Sequence, residues 1–279
     1  MILVATPPEP VRILSDLHLG HPLSRIREVE DLWPLIAGAS TVVFNGDSAE
    51  VRMGPQRERA LELLGALQSL LERRGVASIF LTGNHDPRYS EHHALLLGKS
   101  RLLATHGDFL IPFISPWSRR LDRCRLEMEK LLGGADPARW DRDLEYRLEL
   151  ARDCCDLLEM AAPKEGLGRM AKLREMLHDV ASPKRALTIA EVWLRNPGRA
   201  FQAMERMAPE TRVMVVGHTH WPGVWRRAER VVINTGGFVG LPRAQMVEFA
   251  DGLVRVHSVR GKSGRCELGR IRFERRIDD

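Results

Sequence analysis

With 279 residues, 44% of them hydrophobic and 28% charged, the chain is long enough for one large α/β domain with an insertion or for two domains, and its composition is that of a soluble globular protein. No apolar run approaches the roughly 20 residues that span a bilayer, and the apolar run at Ile2-Leu3-Val4-Ala5 is short and has no basic stretch before it, so a cytoplasmic protein without a secretory leader is expected. The net charge of +5, with arginine in excess, suits an anionic partner such as a nucleotide, a nucleic acid or a lipid head group, without choosing among them.

Val11-Arg12-Ile13-Leu14-Ser15 reads as a first strand running into Asp16-Leu17-His18-Leu19-Gly20. Asp16 and His18 stand two apart, so in extended chain their side chains leave on one side and can reach one ion. A helix-like stretch, Arg25 to Ile36, leads to a second strand, Thr41-Val42-Val43-Phe44, and to Asn45-Gly46-Asp47, where Gly46 lets the backbone turn and present the Asp47 carboxylate. Arg57 to Arg73 carries Leu61, Leu64, Leu67, Leu70 and Leu71 at helical spacing and ends at Arg74-Gly75. The next apolar run, Val76 to Leu81, ends in Thr82-Gly83-Asn84-His85-Asp86-Pro87, and Leu102-Leu103-Ala104 ends in Thr105-His106-Gly107-Asp108. Val213 to Val216 ends in Gly217-His218-Thr219-His220, again with two ligand-type side chains two apart.

About a hundred residues of different character lie between the last two strand ends. Pro116, Pro137, Pro163, Pro183, Pro197 and Pro209 divide them, and the pieces carry helical stripes: Leu121, Cys124, Met128, Leu131; Leu144, Leu148, Ala151, Cys155, Leu158; and Met170, Leu173, Leu177. An inserted helical subdomain is expected. Beyond Gly217, short β-like runs at 231–234, 245–249 and 253–259 are separated by the turn signals Thr235-Gly236-Gly237 and Asp251-Gly252. The arginine-rich end (Arg260, Lys262, Arg265, Arg270, Arg272, Arg275, Arg276) reads either as a solvated basic edge strand or as a surface for phosphate or membrane contact. Cys124, Cys154, Cys155 and Cys266 lack metal-knuckle spacing and are expected as free thiols. Gly261-Lys262-Ser263 has no glycine five residues before Gly261, so it is no phosphate loop, and neither GxSxG nor HExxH occurs.

Five strand ends therefore bring Asp16 and His18, Asp47, Asn84 and His85, His106, and His218 and His220 toward one rim, if the strands lie side by side. Imidazole, carboxylate and amide donors without a thiolate suit manganese, iron, zinc or cobalt better than calcium or magnesium. Leaving His85 aside, seven candidate ligands exceed the need of one tetrahedral ion, and two ions sharing one carboxylate fit the inventory, with Asp47 the candidate for the shared ligand.

The ordered set Asp16-x-His18, Gly46-Asp47, Gly83-Asn84-His85-Asp86, His106-Gly107-Asp108 and Gly217-His218-Thr219-His220 resembles the five-block signature of the calcineurin-like metallophosphoesterases, over a span from the first strand to Trp221. The resemblance implies an α/β (α+β) fold, a β-sandwich flanked by helices, with residues 1–108 and 210–279 as core and 109–209 as an inserted helical lid. It implies two divalent metal ions, manganese first. Asp16, His18, Asp47 and His220 would hold one ion, and Asp47, Asn84, His106 and His218 the other. A hydroxide between the ions would attack phosphorus while His85 serves the leaving group, with Asp86 orienting its imidazole.

Within that family, Ser15-Asp16-Leu17-His18-Leu19, the His106-Gly107-Asp108 block and the helical insert resemble the UDP-2,3-diacylglucosamine pyrophosphatase branch. The best-known form of that enzyme has arginine in place of His85 and an aromatic or apolar pair after the second-block aspartate, where this chain has Ser48-Ala49-Glu50. The resemblance thus carries hydrolysis of a phosphate ester or anhydride, leaning towards a nucleotide-linked lipid and peripheral contact with the inner membrane face. Phe109, Ile111, Phe113, Ile114 and Trp117, followed by Arg119, Arg120, Arg123 and Arg125, read as an apolar entrance with a basic rim or as the packed base of the insert. A nuclease or general phosphodiesterase or phosphatase is the enzymatic alternative, and a non-catalytic binding scaffold on the same fold is the alternative of another class.

Overall fold

A computed structural model of the chain describes residues 1–52, 54, 56–161, 183–240, 244–261 and 264–277. Two six-stranded mixed sheets face each other. The first has the order β12-β11-β10-β2-β3-β4, from β2 (Val11–Leu14), β3 (Thr41–Asn45), β4 (Ala77–Leu81), β10 (Gln245–Ala250), β11 (Leu253–Arg260) and β12 (Glu267–Arg276). The second has the order β1-β5-β6-β7-β9-β8, from β1 (Ile2–Val4), β5 (Ala94–Leu97), β6 (Leu102–Thr105), β7 (Val213–Val216), β8 (Gly223–Arg227) and β9 (Arg230–Asn234). β2, β3 and β4 run parallel in one sheet, and β6, β7 and β9 run parallel in the other.

Alternation along the strands builds three apolar layers. Val11, Ile13, Val43, Leu102, Ala104, Val213, Val215 and Ile233 fill the space between the sheets. Their neighbours Leu14, Val42 and Phe44 point the other way and meet α2 (Arg57–Arg73) through Leu63, Leu64, Leu67, Leu70 and Leu71. On the outer face of the second sheet, Leu103, Met214, Val216 and Val232 meet α3 (Arg119–Gly133), α5 (Leu144–Met160) and α6 (Pro183–Met207). Two-sided burial explains why β2, β3, β6 and β7 read as continuous apolar runs rather than alternating ones. The sandwich flanked by helices agrees with the expected fold class, and the described helices between β6 and β7 share one core with the second sheet.

Several local expectations are corrected. Arg25–Ile36 is not one helix: a 3-10 turn at Val29–Leu32 is followed by the single turn α1 (Trp33–Ile36), because Pro34 has no amide hydrogen to continue a helix begun at Arg25. Leu61 lies 40% exposed on α2 while Leu63 takes the inward place. Pro197 does not divide the chain but sits inside α6, where buried Val192, Asn196, Ala200, Phe201 and Met204 hold the helix together across it. Pro137 does start a helix, the one-turn α4 (Pro137–Trp140). The stripes on α3 and α5 face inward as read, whereas Pro163, Met170, Leu173, Leu177 and Lys262 lie outside the described residues. The four cysteines are buried free thiols. β12 is an edge strand, as one reading of the arginine-rich end had it, with Arg275 paired to Glu229 and Arg265 to Glu267. No described helix is long and apolar enough to cross a membrane.

Candidate metal centre

The seven candidate ligands converge, but not along one sheet. β2, β3 and β4 of the first sheet deliver Asp16 and His18, Asp47, and Asn84 with His85, whereas β6 and β7 of the second deliver His106 and His218 with His220. The rim is shared by two sheets, and Asn45 stitches it: its amide donates to Thr105 O at 2.9 Å and Val215 O at 3.3 Å, while its carbonyl accepts from His106 Nδ1 at 3.2 Å.

Two donor triads result, Asp16–His18–His220 and Asp47–His106–His218, each with its ligand atoms within 4.8 Å of one another. Asp47 Oδ2 lies between them, 3.7 Å from His18 Nε2 and 3.3 Å from His106 Nε2. Asn84 Oδ1 stands 3.1 Å from His106 Nε2, and His220 Nε2 stands 3.2 Å from Asp16 Oδ1 and 3.1 Å from His18 Nε2. The other ring nitrogen of three histidines is already tied: His18 Nδ1 to Glu50 Oε1 at 2.7 Å, His106 Nδ1 to Asn45 O, and His218 Nε2 to Ile114 O at 3.0 Å. Such bonds fix the tautomer and aim the remaining lone pair, which is how metal-binding imidazoles are held. The donor set therefore fits divalent ions.

The backbone at these positions is strained. Asp16, His18, Asp47, His218 and His220 all lie at positive φ, between 48° and 66°. For residues with a side chain that region costs of order 1 kcal/mol or more each, and it persists where the surroundings over-determine it. Three motif glycines are required by contact rather than by flexibility: a Cβ on Gly46 would meet the His106 ring at 2.6 Å, one on Gly83 the Asp47 amide and carboxylate, and one on Gly217 Asp16 and Ser15.

Electrostatically the cluster is built to hold positive charge. Burial opposes ionisation of Asp16 and Asp47, yet the surrounding histidines, His220 for the first and His106 with His85 for the second, bring both carboxyls below the usual range. Burial also disfavours charged His18 and His106, but Glu50 raises His18 to about 9 and Asp47 raises His106 to about 10. His218 goes the other way, to about 4, through burial and the charge of His106. Divalent ions would displace the protons that otherwise balance this nest of carboxylates.

Asp86 is corrected in its partner. It does not touch His85: its carboxylate accepts from the amides of Asp47 at 3.0 Å, Ser48 at 2.6 Å and Gly83 at 2.6 Å, clamping the second and third blocks together. Burial and the Asp47 charge raise it to about 6 against those bonds. The residue that holds His85 is Glu50, whose Oε2 lies 2.8 Å from His85 Nδ1. Glu50 was visible only as part of Ser48-Ala49-Glu50; its place three residues after Asp47 was the available signal. Arg152 was missed entirely. It is buried on α5, ion-paired with Asp108, and donates to Gly83 O at 2.8 Å and Thr82 Oγ1 at 3.1 Å.

A cleft of about 250 Å³ opens onto the triads, walled by Ser115, Trp117, Ile189 and Trp193 opposite His18, Asn84, His85 and His220. Phe109, Ile111 and Ile114 are buried against α3 and α5 and, with Phe113, line a second cavity of about 580 Å³ beneath the inserted helices, while Trp117 reaches the cleft and its ring lies 5.8 Å from that of His218.

No protein-family model and no curated protein sequence matches the chain. Among solved structures, it is similar to vacuolar protein sorting 29 from Cryptosporidium parvum, at 12% identity over 96% of this chain and 98% of that one with a TM-score of 0.44. It is also similar to an uncharacterised, predicted phosphoesterase from Streptococcus pneumoniae, at 15% identity over 97% and 100% with a TM-score of 0.38. A zinc complex of Vps29 from Entamoeba histolytica is similar at 12% identity over 96% and 99%, with a TM-score of 0.41. The chemistry of this chain rests on its own side chains.

Proposed function

We propose that the protein is a dinuclear-metal hydrolase of phosphate esters or anhydrides. The observation that carries this is the pair of donor triads with the Asp47 carboxylate between them. Asp16, His18 and His220 would hold one ion, Asn84, His106 and His218 the other, and Asp47 both, with manganese the first candidate and iron, zinc or cobalt the alternatives. When bound, such ions supply Lewis acidity towards the phosphoryl oxygens and generate a water-derived nucleophile near neutral pH.

The rest is done by side chains. His85 lines the cleft with Nδ1 held by Glu50, which leaves Nε2 to give a proton to the departing oxygen. Asp86 keeps the Asp47 and Gly83 loops at fixed separation, and Glu50, by gripping both His18 and His85, fixes the acid relative to the metal ligands. Trp117, Ile189 and Trp193 border the cleft as a partial lid and give it an apolar wall. That wall favours a substrate with an apolar or planar arm, which agrees with the lean towards a UDP-2,3-diacylglucosamine-type nucleotide-lipid.

The test is a Mn²⁺-supplemented panel of bis(4-nitrophenyl) phosphate, 4-nitrophenyl phosphate, single-stranded DNA and UDP-2,3-diacylglucosamine, run with wild type and Asp47→Asn. Turnover of at least one phosphate compound, lost together with metal content in Asp47→Asn, is expected. Preference for DNA makes the protein a nuclease, and full metal content with no turnover on any compound makes it a binding scaffold.

A further inference from the structure

Near Glu50, which holds His85, lies a basic pair that the hydrolytic reading does not use. Arg52 follows Glu50 by two residues, and Arg120 sits in the first turn of α3, one turn beyond the cleft-lining Ser115 and Trp117. Both guanidinium groups are half-buried. Arg52 Nε and Nη2 and Arg120 Nη1 are buried and have no hydrogen-bond partner among the described residues. The two are near enough for the charge of Arg52 to act against that of Arg120, with Arg123 adding to the repulsion.

The acids whose charges reach Arg120 are Glu50 and Glu159. Glu50 is already committed, one oxygen to His18 and the other to His85, and Arg123 donates to Ala161 O at 3.3 Å. Buried guanidinium donors without a partner among the described residues are costly unless an anion meets them, and a planar fork of N–H groups matches phosphate geometry.

We propose that Arg52 and Arg120 form a second anion subsite near Glu50, which takes a phosphate carried by the leaving group. This rests on the hydrolytic reading of the metal centre and sharpens it: the site is built for compounds with two linked phosphates, one at the triads and one at the arginine pair. Water attacks the first phosphorus, the bridging P–O bond breaks, and the departing oxygen takes its proton from His85 while its own phosphate rests on Arg52 and Arg120.

The test is calorimetric titration of the Mn²⁺-loaded protein with UDP, used as its α,β-methylene analogue so that the bridge cannot be cleaved, and with UMP, which lacks the second phosphate group. Wild type is expected to bind UDP at least about tenfold more tightly, the scale of one or two charge-assisted hydrogen bonds. Arg52→Gln and Arg120→Gln are expected to lower UDP affinity about tenfold more than UMP affinity, and Arg120→Lys, which keeps the charge, to recover part of the difference. Melting temperatures are measured alongside. Equal losses for UDP and UMP, no loss for either, or a loss that tracks only a fall in melting temperature and is not eased by lysine, overturns the subsite. Because binding is read without turnover, a wild type that hydrolyses nothing in the substrate panel defeats the hydrolytic reading, whereas an unchanged UDP-to-UMP ratio defeats this one.

Discussion

Replacing Glu50 with glutamine isolates the one side chain that grips both halves of the proposed machinery. Its oxygens lie 2.7 Å from His18 Nδ1 and 2.8 Å from His85 Nδ1, with the side chain 14% exposed. Glutamine keeps the shape but offers one acceptor, and its amide nitrogen cannot receive the second imidazole proton. Burial disfavours a charged His18, but the Glu50 bond leads the contributions that outweigh it and raise His18 from 6.5 to about 9, so the ring is held in a proton-bearing form through Nδ1. Loss of orientation at a metal-binding imidazole costs roughly 10- to 100-fold in metal affinity or activity, and loss of a positioned acid roughly 10²- to 10⁴-fold in rate. Glu50→Gln is therefore expected to lower kcat by about 10²- to 10³-fold and to weaken Mn²⁺ binding at least about tenfold. The assay is a cycle with His85→Ala: kcat on bis(4-nitrophenyl) phosphate and metal content for both single variants and the double. Glu50 acts through His85 if the double variant is little slower than His85→Ala. A Glu50→Gln enzyme within about threefold of wild type, or a loss of equal factor in the His85→Ala background, refutes the reasoning.

Arg152→Ala removes the buried partner of Asp108 together with the bond to Gly83 O, leaving an uncompensated carboxylate in the core. A destabilisation of about 3 to 5 kcal/mol is expected in urea unfolding, and Asp108→Asn in the same chain should recover part of it. Gly83→Ala drives a methyl into the Asp47 amide and carboxylate, where the neighbour is backbone and cannot yield. About 1 to 3 kcal/mol of stability should be lost, with metal content falling further than in Gly65→Ala on α2, whose added Cβ meets open space. His93, held between Thr82 Oγ1 at 2.8 Å and Glu149 Oε1 at 3.0 Å, is brought from 6.5 down to about 4 by burial, with the Arg152 charge adding to it. In that window the unfolded chain binds the extra proton, so stability falls as pH drops from about 6.5 towards 4, by at most about 3 kcal/mol from this residue. Unfolding midpoints of His93→Gln across that range should show a shallower slope than wild type.

The sequence alone determined where the candidate ligands sit, because each follows an apolar run and strand ends are short-range features. Asp16, His18, Asp47, Asn84, His106, His218 and His220 could be placed at strand ends from local pattern, and the stripes on α3 and α5 were equally legible. Short strands without alternation, such as β5, and a stretch interrupted by Pro34 carried no clear period. Tertiary structure decided what no local pattern encodes. It split the ligands between two sheets, gave His85 to Glu50 rather than to its neighbour Asp86, and brought Arg152 from 69 residues away to hold Gly83. Adjacent residues on a turn point apart, so Asp86 reaches the amides of the Asp47 loop while His85 faces the cleft. Which polar group satisfies which is set by the packing of distant segments, and that is a property of the folded chain.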